Sequence, residues 1–588
     1  MLSLPVLQRI FSSKLSFMPK LVFSSCWVNL KHVSIVNCES QNKNLPKTRL
    51  KNGPDLKHFL LQTKSSELTD NALSPEHEDD DIPYVDVNAW NGWNRKVYFE
   101  VYGCQMNVND TDIVWSILKA AGFEKTKSIS EADVILLMTC AIREGAENRI
   151  WGRLADLRLK KRQLNVKIGV LGCMAERLKH QLIEKEKSVD LVAGPDSYRD
   201  LPRLLALTQN NQSAVNVLLS LDETYADVMP TRLNEDSVTA FVSIQRGCDN
   251  MCTYCIVPFT RGRERSRPVE SIVAEVQKFS DEGVKEVTLL GQNVNSYRDT
   301  SVSTFSMNSD TNLAKGFGTV YKSKKGGLRF AELLDRVSCV NPEMRIRFIS
   351  PHPKDFPDEV LHLIAERTNI CNNLHMPVQC GNNRVLEMMR RGYTREAYLD
   401  LITNVRSIIP DVALSSDFIC GFCSETEEEF QDTLKLIEEV KFTNAYLFAY
   451  SLRQKTPAHR KFKDDVDPKV KIRRLTEMSN LYRKIRTEEN KKLHGQIHLV
   501  LVEGTSKRSE NDLEGRNDWN QKVIFPLTDT PDNESGSSTQ IKKGNYVAVE
   551  ITDSTSQTLK GVPLYRTTLQ HFNQSLRQRV TRNASIIS

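Results

Sequence analysis

The chain has 588 residues, 39% of them apolar and 26% charged, with a net charge of +6. That length allows three or four domains of about 150 residues each. The composition is that of a globular protein, and no run of about 18 apolar residues offers a transmembrane helix. So small a charge excess names no partner, and the placement of charge matters more. Thirteen cysteines spread over a long chain do not describe a short secreted disulfide scaffold. They point to metal ligands and free thiols in a reducing compartment.

Residues 1–38 hold no Asp or Glu, but do hold Arg9, Lys14, Lys20, Lys31 and seven serines. This composition predicts a mitochondrial transit peptide and a matrix location. Residues 39–94 are polar, include the acidic stretch "EHEDDDIPYVD", and predict a disordered linker.

Residues 95–210 alternate between strands and helices. "KVYFEVYG", "ADVILLMTC", "VKIGVLGC" and "VDLVAGP" read as strands. "DTDIVWSILKAAGF", with Asp110 or Thr111 as cap, is the first helix between them. Such alternation predicts a parallel sheet covered by helices. Cys104, Cys140 and Cys173 each end a different strand. In a parallel sheet those ends share one edge, where ligands bind. Three thiolates would then converge on a soft metal site. Buried structural cysteines are the plainer alternative.

Residues 211–240 form a connection, read here as a hinge. Residues 241–489 give six further strands: "AFVSIQ", "EVTLLGQ", "RIRFIS", "NLHMPV", "ALSSDFICGF" and "NAYLFAYS". Six βα units predict a partial barrel with its function at the strand carboxyl ends. Residues 299–327, rich in Ser, Thr, Asn, Gly and Lys, read as a disordered surface insertion. Residues 490–565 alternate with a period of two and predict a small all-β barrel, with "TDTPDNESGSSTQ" as a flexible loop. Residues 566–588 form a basic tail containing Arg577, Arg579 and Arg582.

The densest chemistry lies in "QRGCDNMCTYCIVPFTRGRERSR", residues 245–267. Cys248, Cys252 and Cys255 supply three soft ligands, one short of a closed zinc site. Between His180 and Cys339 no other Cys or His occurs. The trio is either an incomplete zinc site or an iron–sulfur cluster with one corner open. Arg261, Arg263, Arg265 and Arg267 alternate with other residues and, if extended, share one face able to hold a nucleic-acid backbone. Internal ion pairs with Glu264, Glu270 and the helix behind are the alternative. The role of Arg246 stays open.

The C-x₃-C-x₂-C spacing, with Tyr254 before the last Cys, resembles the radical S-adenosylmethionine (SAM) enzymes. The resemblance implies a [4Fe-4S] cluster on these cysteines, SAM on its open iron, and one-electron cleavage to a 5′-deoxyadenosyl radical. "YGCQMNVND", "LMTCAIREGAENRI", "VLGCMAE", "LLGQNVNSY", "LHMPVQCGNNRVLEMMRRGYTREAY" and "SSDFICGF" are similar, in order, to the methylthiotransferases over about 95–565. "YGCQMN" and "VPFTRGRERSRP" resemble its MiaB-type branch, which acts on tRNA. The implied fold is an N-terminal parallel α/β domain, a central radical SAM partial (βα)₆ barrel and a C-terminal TRAM-like barrel.

The resemblance further implies a second [4Fe-4S] cluster, the sulfur source, on Cys104, Cys140 and Cys173. The implied substrate is a mitochondrial tRNA, entered at the isopentenyladenosine of its anticodon stem-loop. Two SAM molecules are used per turnover, with electrons from an external donor. Lys507, Arg508, Arg516 and Lys522 of the TRAM-like barrel are expected to face phosphates, which position RNA without reading its sequence. Candidates for the SAM pocket, at strand ends, are Gln292, Asn293, Ser350, Gln379, Asp417 and Gly421. The chain is expected to be a monomer without membrane contact.

A sister reading keeps the chemistry and changes the substrate to threonylcarbamoyl-adenosine or a ribosomal protein. A reading of another class is a non-catalytic regulator of a protein kinase or its activator; two cysteine triplets argue against it as a sole function, though not as an added one. Three departures from the family pattern stand out. Lys455 replaces a common Gly, Cys423–Ser424 replaces Pro-Gly, and Cys380 replaces Ser. Cys339, Cys371, Cys380, Cys420 and Cys423 match no ligand spacing and read as ordinary thiols.

Overall fold

A six-stranded parallel sheet carries the first domain. Its strands are β1 (Lys96–Val101), β2 (Glu124–Lys125), β3 (Val134–Thr139), β4 (Lys167–Gly172), β5 (Leu191–Ala193) and β6 (Ala214–Asn216). Their spatial order is β2-β1-β3-β4-β5-β6. All six residues of β3, VILLMT, are buried. Continuous apolar strands are expected where helices cover both faces of a sheet. Val134, Leu136 and Met138 enter one core with Ile113, Leu118 and Leu204, and Ile135 and Leu137 enter the other with Leu154 and Leu178. The pleat thus feeds alternate residues to opposite layers.

This computed structural model describes residues 86–141, 144–210, 212–301, 315–318, 326–533 and 535–575. The expected transit peptide, linker residues 39–85, insertion residues 302–314 and 319–325, and tail residues 576–588 lie outside them.

Four expectations need correction. The first helix spans Gln105–Ala120, so Asp110 and Thr111 are helical residues and Cys104 takes the cap position. Linker residues 92–94 are tied to the first domain, though mostly exposed: Gly92 N donates to Ala121 O at 2.6 Å and Asn94 N to Gly122 O at 2.9 Å. In the insertion, Phe317 is buried against Tyr393, with ring centroids 4.8 Å apart. The connection is stitched down as well. Tyr225 is buried, its hydroxyl donates to Pro195 O at 2.9 Å, and its ring lies under Arg246.

The central domain opens with β7 (Thr239–Ser243) and an antiparallel pair, β8 (Gln245–Arg246) with β9 (Arg265–Ser266). It continues through β10 (Glu286–Leu290), the antiparallel pair β11 (Arg298–Asp299) and β12 (Leu328–Arg329), and β13 (Arg345–Phe348). β14 (Asn373–His375), β15 (Ala413–Cys420) and β16 (Asn444–Ala449) complete it. Two parallel sheets, β13-β10-β7 and β14-β15-β16, meet through a parallel bridge between Ile346 and Ile370. Six barrel strands therefore follow chain order, with β7 and β16 at the two ends. This is the open six-unit barrel that the sequence predicts.

The helix Pro468–Lys491 leads into β17 (Ile497–Thr505), β18 (Asp512–Arg516) and β19 (Lys522–Pro526). After the antiparallel pair β20 (Asp529–Pro531) and β21 (Ser538–Gln540) come β22 (Tyr546–Ser554) and β23 (Thr558–Thr567). Strands β17-β18-β19-β23-β22 close a barrel around Val500, Val523, Phe525, Val547 and Ile551. The expected flexible loop thus contains the β20–β21 hairpin. The small barrel docks at the amino ends of the central strands. Arg345 donates to the carbonyls of Arg516 and Leu499 at 2.9 and 2.7 Å, and Arg347 to those of Asp518 and Asn517 at 2.7 and 2.8 Å.

Candidate active site

Cys104, Cys140 and Cys173 follow β1, β3 and β4, which are neighbours in the sheet. Parallel pairing brings all three to one edge. Two glycines let the loops close. Gly103 has φ +111°, and a Cβ there would lie 2.6 Å from Cys140 Cβ. Gly172 has φ +93°, and its Cβ would lie 2.6 Å from Thr139 O. L-residues rarely adopt such angles, and here there is no room for a side chain. The Cys104 side chain makes no capping bond to the helix it precedes. Cys140 and Cys173 are buried.

The second triplet sits on a loop closed at its base by β8 and β9. Gly247 N donates to Gln292 Oε1 at 2.6 Å and Cys248 N to Gly262 O at 3.3 Å. Thr253 ties the loop across the barrel: its N donates to Met389 O at 3.0 Å, and its carbonyl accepts from Ala458 N at 2.8 Å. Arg391, also buried, places Nη1 3.5 Å from Cys252 Sγ and 3.4 Å from the Tyr254 hydroxyl.

Burial pushes the Cys173 and Cys248 thiols up. It pushes Cys255 up to about 12, with Cys252 adding repulsion. Ionising several buried thiols together is costly unless a cation lies among them. Thiols held this way fit a thiolate-bound iron–sulfur group. Among the described residues no three Cys, His, Asp or Glu are arranged to grip a single ion. A four-iron cluster is held at the corners of a wider cage than one ion needs.

The two triplets are neighbours. The helix Cys173–Leu178 packs against the helix Val257–Thr260, which begins two residues after Cys255. Arg261 spans the junction to Cys173, Asn107 and Asp110.

The arginine comb does not form the expected RNA-facing surface. Arg261, Arg265 and Arg267 are buried. Arg265 pairs with Asp196 at 2.9 Å and Arg267 with Glu275 at 2.6 Å. Arg246 pairs with Asp110 at 2.8 Å. Each finds an acid on another element, and burying a guanidinium demands such a partner. Only Arg263 turns outward, 58% exposed and 2.8 Å from Asp249. In the small barrel, Lys507 and Arg508 are exposed. Arg516 pairs with Glu503 at 3.2 Å and Lys522 with Glu514.

Gln292, Asn293, Ser350, Gln379 and Gly421 lie beyond strand carboxyl ends, whereas Asp417 sits inside β15, paired with Tyr446, and several of the six already have protein partners. Asn293 Nδ2 donates to Asp355 Oδ2 at 3.1 Å, and its Oδ1 accepts from His352 N at 3.1 Å. Ser350 and Gln379 hold φ of +62° and +76°. Gln379 is bridged to Phe418, and Gly421 N donates to Glu425. Asp417, partly exposed, lies 3.4 Å from His375 Nε2, whose Nδ1 is 3.0 Å from Ser415 Oγ. Sequence reading missed His375, Ser415 and Arg391. The spacing of Ser415 and Asp417 by two on one strand was the available signal for the first pair. Cys371, Cys380, Cys420 and Cys423 are buried and Cys339 is exposed.

Three family profiles match the chain in order. An uncharacterised family, UPF0004, covers residues 96–194, the radical SAM superfamily 242–437, and the TRAM domain 491–564. A Mus musculus protein named mitochondrial tRNA methylthiotransferase CDK5RAP1 is 55% identical over 93% of this chain and 96% of its own length. The Homo sapiens protein of that name is 56% identical over 89% of this chain and 90% of its own. A Chloroherpeton thalassium protein named tRNA-2-methylthio-N(6)-dimethylallyladenosine synthase is 50% identical over 79% of this chain and 95% of its own. With this overlap, and with the three domains in order, the chain belongs to the radical SAM tRNA methylthiotransferase family.

Proposed function

We infer that this chain is a mitochondrial radical SAM enzyme that methylthiolates tRNA. Its substrate is the N6-isopentenyladenosine beside the anticodon, which becomes the 2-methylthio derivative. Close relatives carry the mitochondrial name, and a bacterial relative is named for the dimethylallyladenosine product. The acid-free, basic first 38 residues support import to the matrix.

One observation carries the reading: the cysteine edge of the N-terminal sheet packs directly on the cysteine loop of the barrel. Cys248, Cys252 and Cys255 would hold the cluster that binds SAM. Cys104, Cys140 and Cys173 would hold a second cluster, giving two per chain. When bound, these groups supply one-electron cleavage of SAM and the sulfur that is methylated and transferred. The chain's own residues exclude water and hold the two triplets together. Arg391 and the Thr253 bonds fix the barrel loop. Gln292, Asn293, Ser350, Gln379 and Gly421 beyond the strand ends, with Asp417 inside β15, would face SAM. Lys507, Arg508 and Arg263 are the exposed cations suited to tRNA phosphates. An external reductant supplies electrons, and the chain works as a monomer.

Nucleoside mass spectrometry of mitochondrial tRNA from cells lacking the protein tests this. Methylthio-isopentenyladenosine should vanish and isopentenyladenosine accumulate. Unchanged levels, with loss of a methylthio-threonylcarbamoyl nucleoside instead, would move the enzyme to that substrate. Anaerobically purified protein should hold about eight iron atoms per chain. Replacing either triplet with alanine should halve that content.

A further inference from the structure

One buried guanidinium crosses from the barrel to the N-terminal sheet where the two triplets meet. Arg261 lies in the turn after the Val257–Thr260 helix and is 2% exposed. Its Nε donates to Cys173 Sγ at 3.1 Å and its Nη2 to Asn107 Oδ1 at 3.2 Å. Its Nη1 pairs with Asp110 Oδ2 at 2.6 Å. Asp110 is itself fully buried, pairs with Arg246 at 2.8 Å and accepts from the Tyr198 hydroxyl at 3.3 Å. The guanidinium is therefore anchored at its tip, and its Nε–H is left aimed at sulfur. Arg265 and Arg267 are as deeply buried, yet they end on Asp196 and Glu275.

We propose that Arg261 is a positioning residue for the Cys104, Cys140 and Cys173 site. It fixes Cys173 from the neighbouring domain and, through its hydrogen bond to the sulfur, raises the reduction potential of the group held there. The proposal rests on that triplet being a cluster site. A hydrogen bond to a ligating sulfur draws off electron density and favours the reduced, more negative form. A charged donor makes that bond stronger than a neutral one. Asp110 fixes the donor's direction, as outer partners of metal ligands do. Arg391 makes a longer contact with Cys252, but it stays within the barrel. Arg261 alone of the two also ties one triplet's domain to the other's.

The test uses full-length protein with Cys248, Cys252 and Cys255 all replaced by Ala, so that only the N-terminal triplet can bind a cluster. Its midpoint potential is measured by redox titration followed by electron paramagnetic resonance, with iron content in parallel. Arg261→Lys keeps a positive charge beside Asp110 but lacks the Nε–H. Arg267→Lys removes an equally buried guanidinium that touches neither sulfur nor Arg261. The expected result is a lower potential in Arg261→Lys and an unchanged one in Arg267→Lys. Iron loss confined to Arg261→Lys supports the holding role. Equal potentials in all three proteins, or equal shifts or equal iron loss in both lysine variants, overturn the proposal. If the parent protein binds no iron, the cluster reading itself falls and takes the proposal with it. Retained iron with no shift overturns only the role of Arg261.

Discussion

Arg391 and Cys252 meet inside the barrel, with Nη1 3.5 Å from Sγ. The same guanidinium bonds Tyr393 Oη at 3.0 Å and reaches Pro377 O. It therefore ties the cysteine loop to the segment after β14. Outer partners of metal ligands typically contribute 10–100-fold to metal affinity or activity. Arg391→Ala should lower iron retention at the Cys248 triplet and slow 5′-deoxyadenosine formation by about that factor. Iron analysis and a SAM-cleavage assay without tRNA read both.

Asp110 stands between two buried arginines, Arg246 and Arg261. Neutralising it strands Arg261 and leaves Arg246 only the longer pair with Glu223 at 3.7 Å. Breaking a buried pair by removing one partner costs about 3–5 kcal/mol. Asp110→Asn should lose stability on that scale in urea unfolding. Glu264→Gln, which alters a carboxylate outside this network, should not match it.

The sheet, the open barrel and the small barrel were legible because each rests on a local period. Apolar runs such as VILLMT announce burial on both faces, and in "NYVAVEI" Val547, Val549 and Ile551 fill the barrel while Tyr546 and Ala548 enter a second core. The convergence of Cys104, Cys140 and Cys173 was legible because parallel topology alone brings strand ends together. The fate of the arginines was not. Alternation in "RGRERSR" looks the same for a solvated face and a buried one. What decides it is Asp110, 136 residues from Arg246, and Asp196, 69 residues from Arg265. No local pattern reports partners so distant. Arg391 was hidden for the same reason.

Burial pushes the Asp112 carboxyl up to about 7. An unfolded aspartate titrates near about 3.9. Between these values the folded chain holds a proton that the unfolded chain has lost. Stability contributed by this site therefore falls as pH rises from about 4 to about 7, and the penalty is complete above that. Asp112→Asn should flatten this slope, and the Leu233 N–H that Asp112 accepts at 2.7 Å can still bond the amide oxygen. Unfolding midpoints at pH 5 and pH 8 check the sign: the variant should gain more at pH 8.

Lys455 and Ser424, where the resemblance implies glycine, both hold left-handed backbone, with φ of +73° and +57°. A left-handed L-residue costs roughly 1–2 kcal/mol, and glycine gives back about 0.5–1 kcal/mol in chain entropy. Lys455→Gly should therefore raise stability by up to about 1 kcal/mol. Ser424→Gly should gain less, because it loses the bond from Ser424 Oγ to Asp465 at 2.8 Å. Thermal midpoints of the two variants rank them.

Lys507 and Arg508 are exposed on the small barrel, while Arg516 and Lys522 have carboxylate partners. Lys507→Ala with Arg508→Ala should weaken anticodon stem-loop binding for all sequences alike. It should also reduce the slope of log affinity against log salt by about one unit per lost contact. Arg516→Ala with Lys522→Ala should change that slope less.

Arg345 and Arg347 grip the small barrel by four peptide carbonyls, and Arg345 also lies over the Tyr546 ring. The carbonyl bonds are blind to which side chains stand at 499, 516 and 517, provided the ribbon keeps its course, whereas Asp518 is held to type by the Asn372 N–H its carboxylate accepts at 2.9 Å. The RNA-binding module can be rewritten there for new tRNAs without coming loose, whereas its socket tolerates no change at the two arginines.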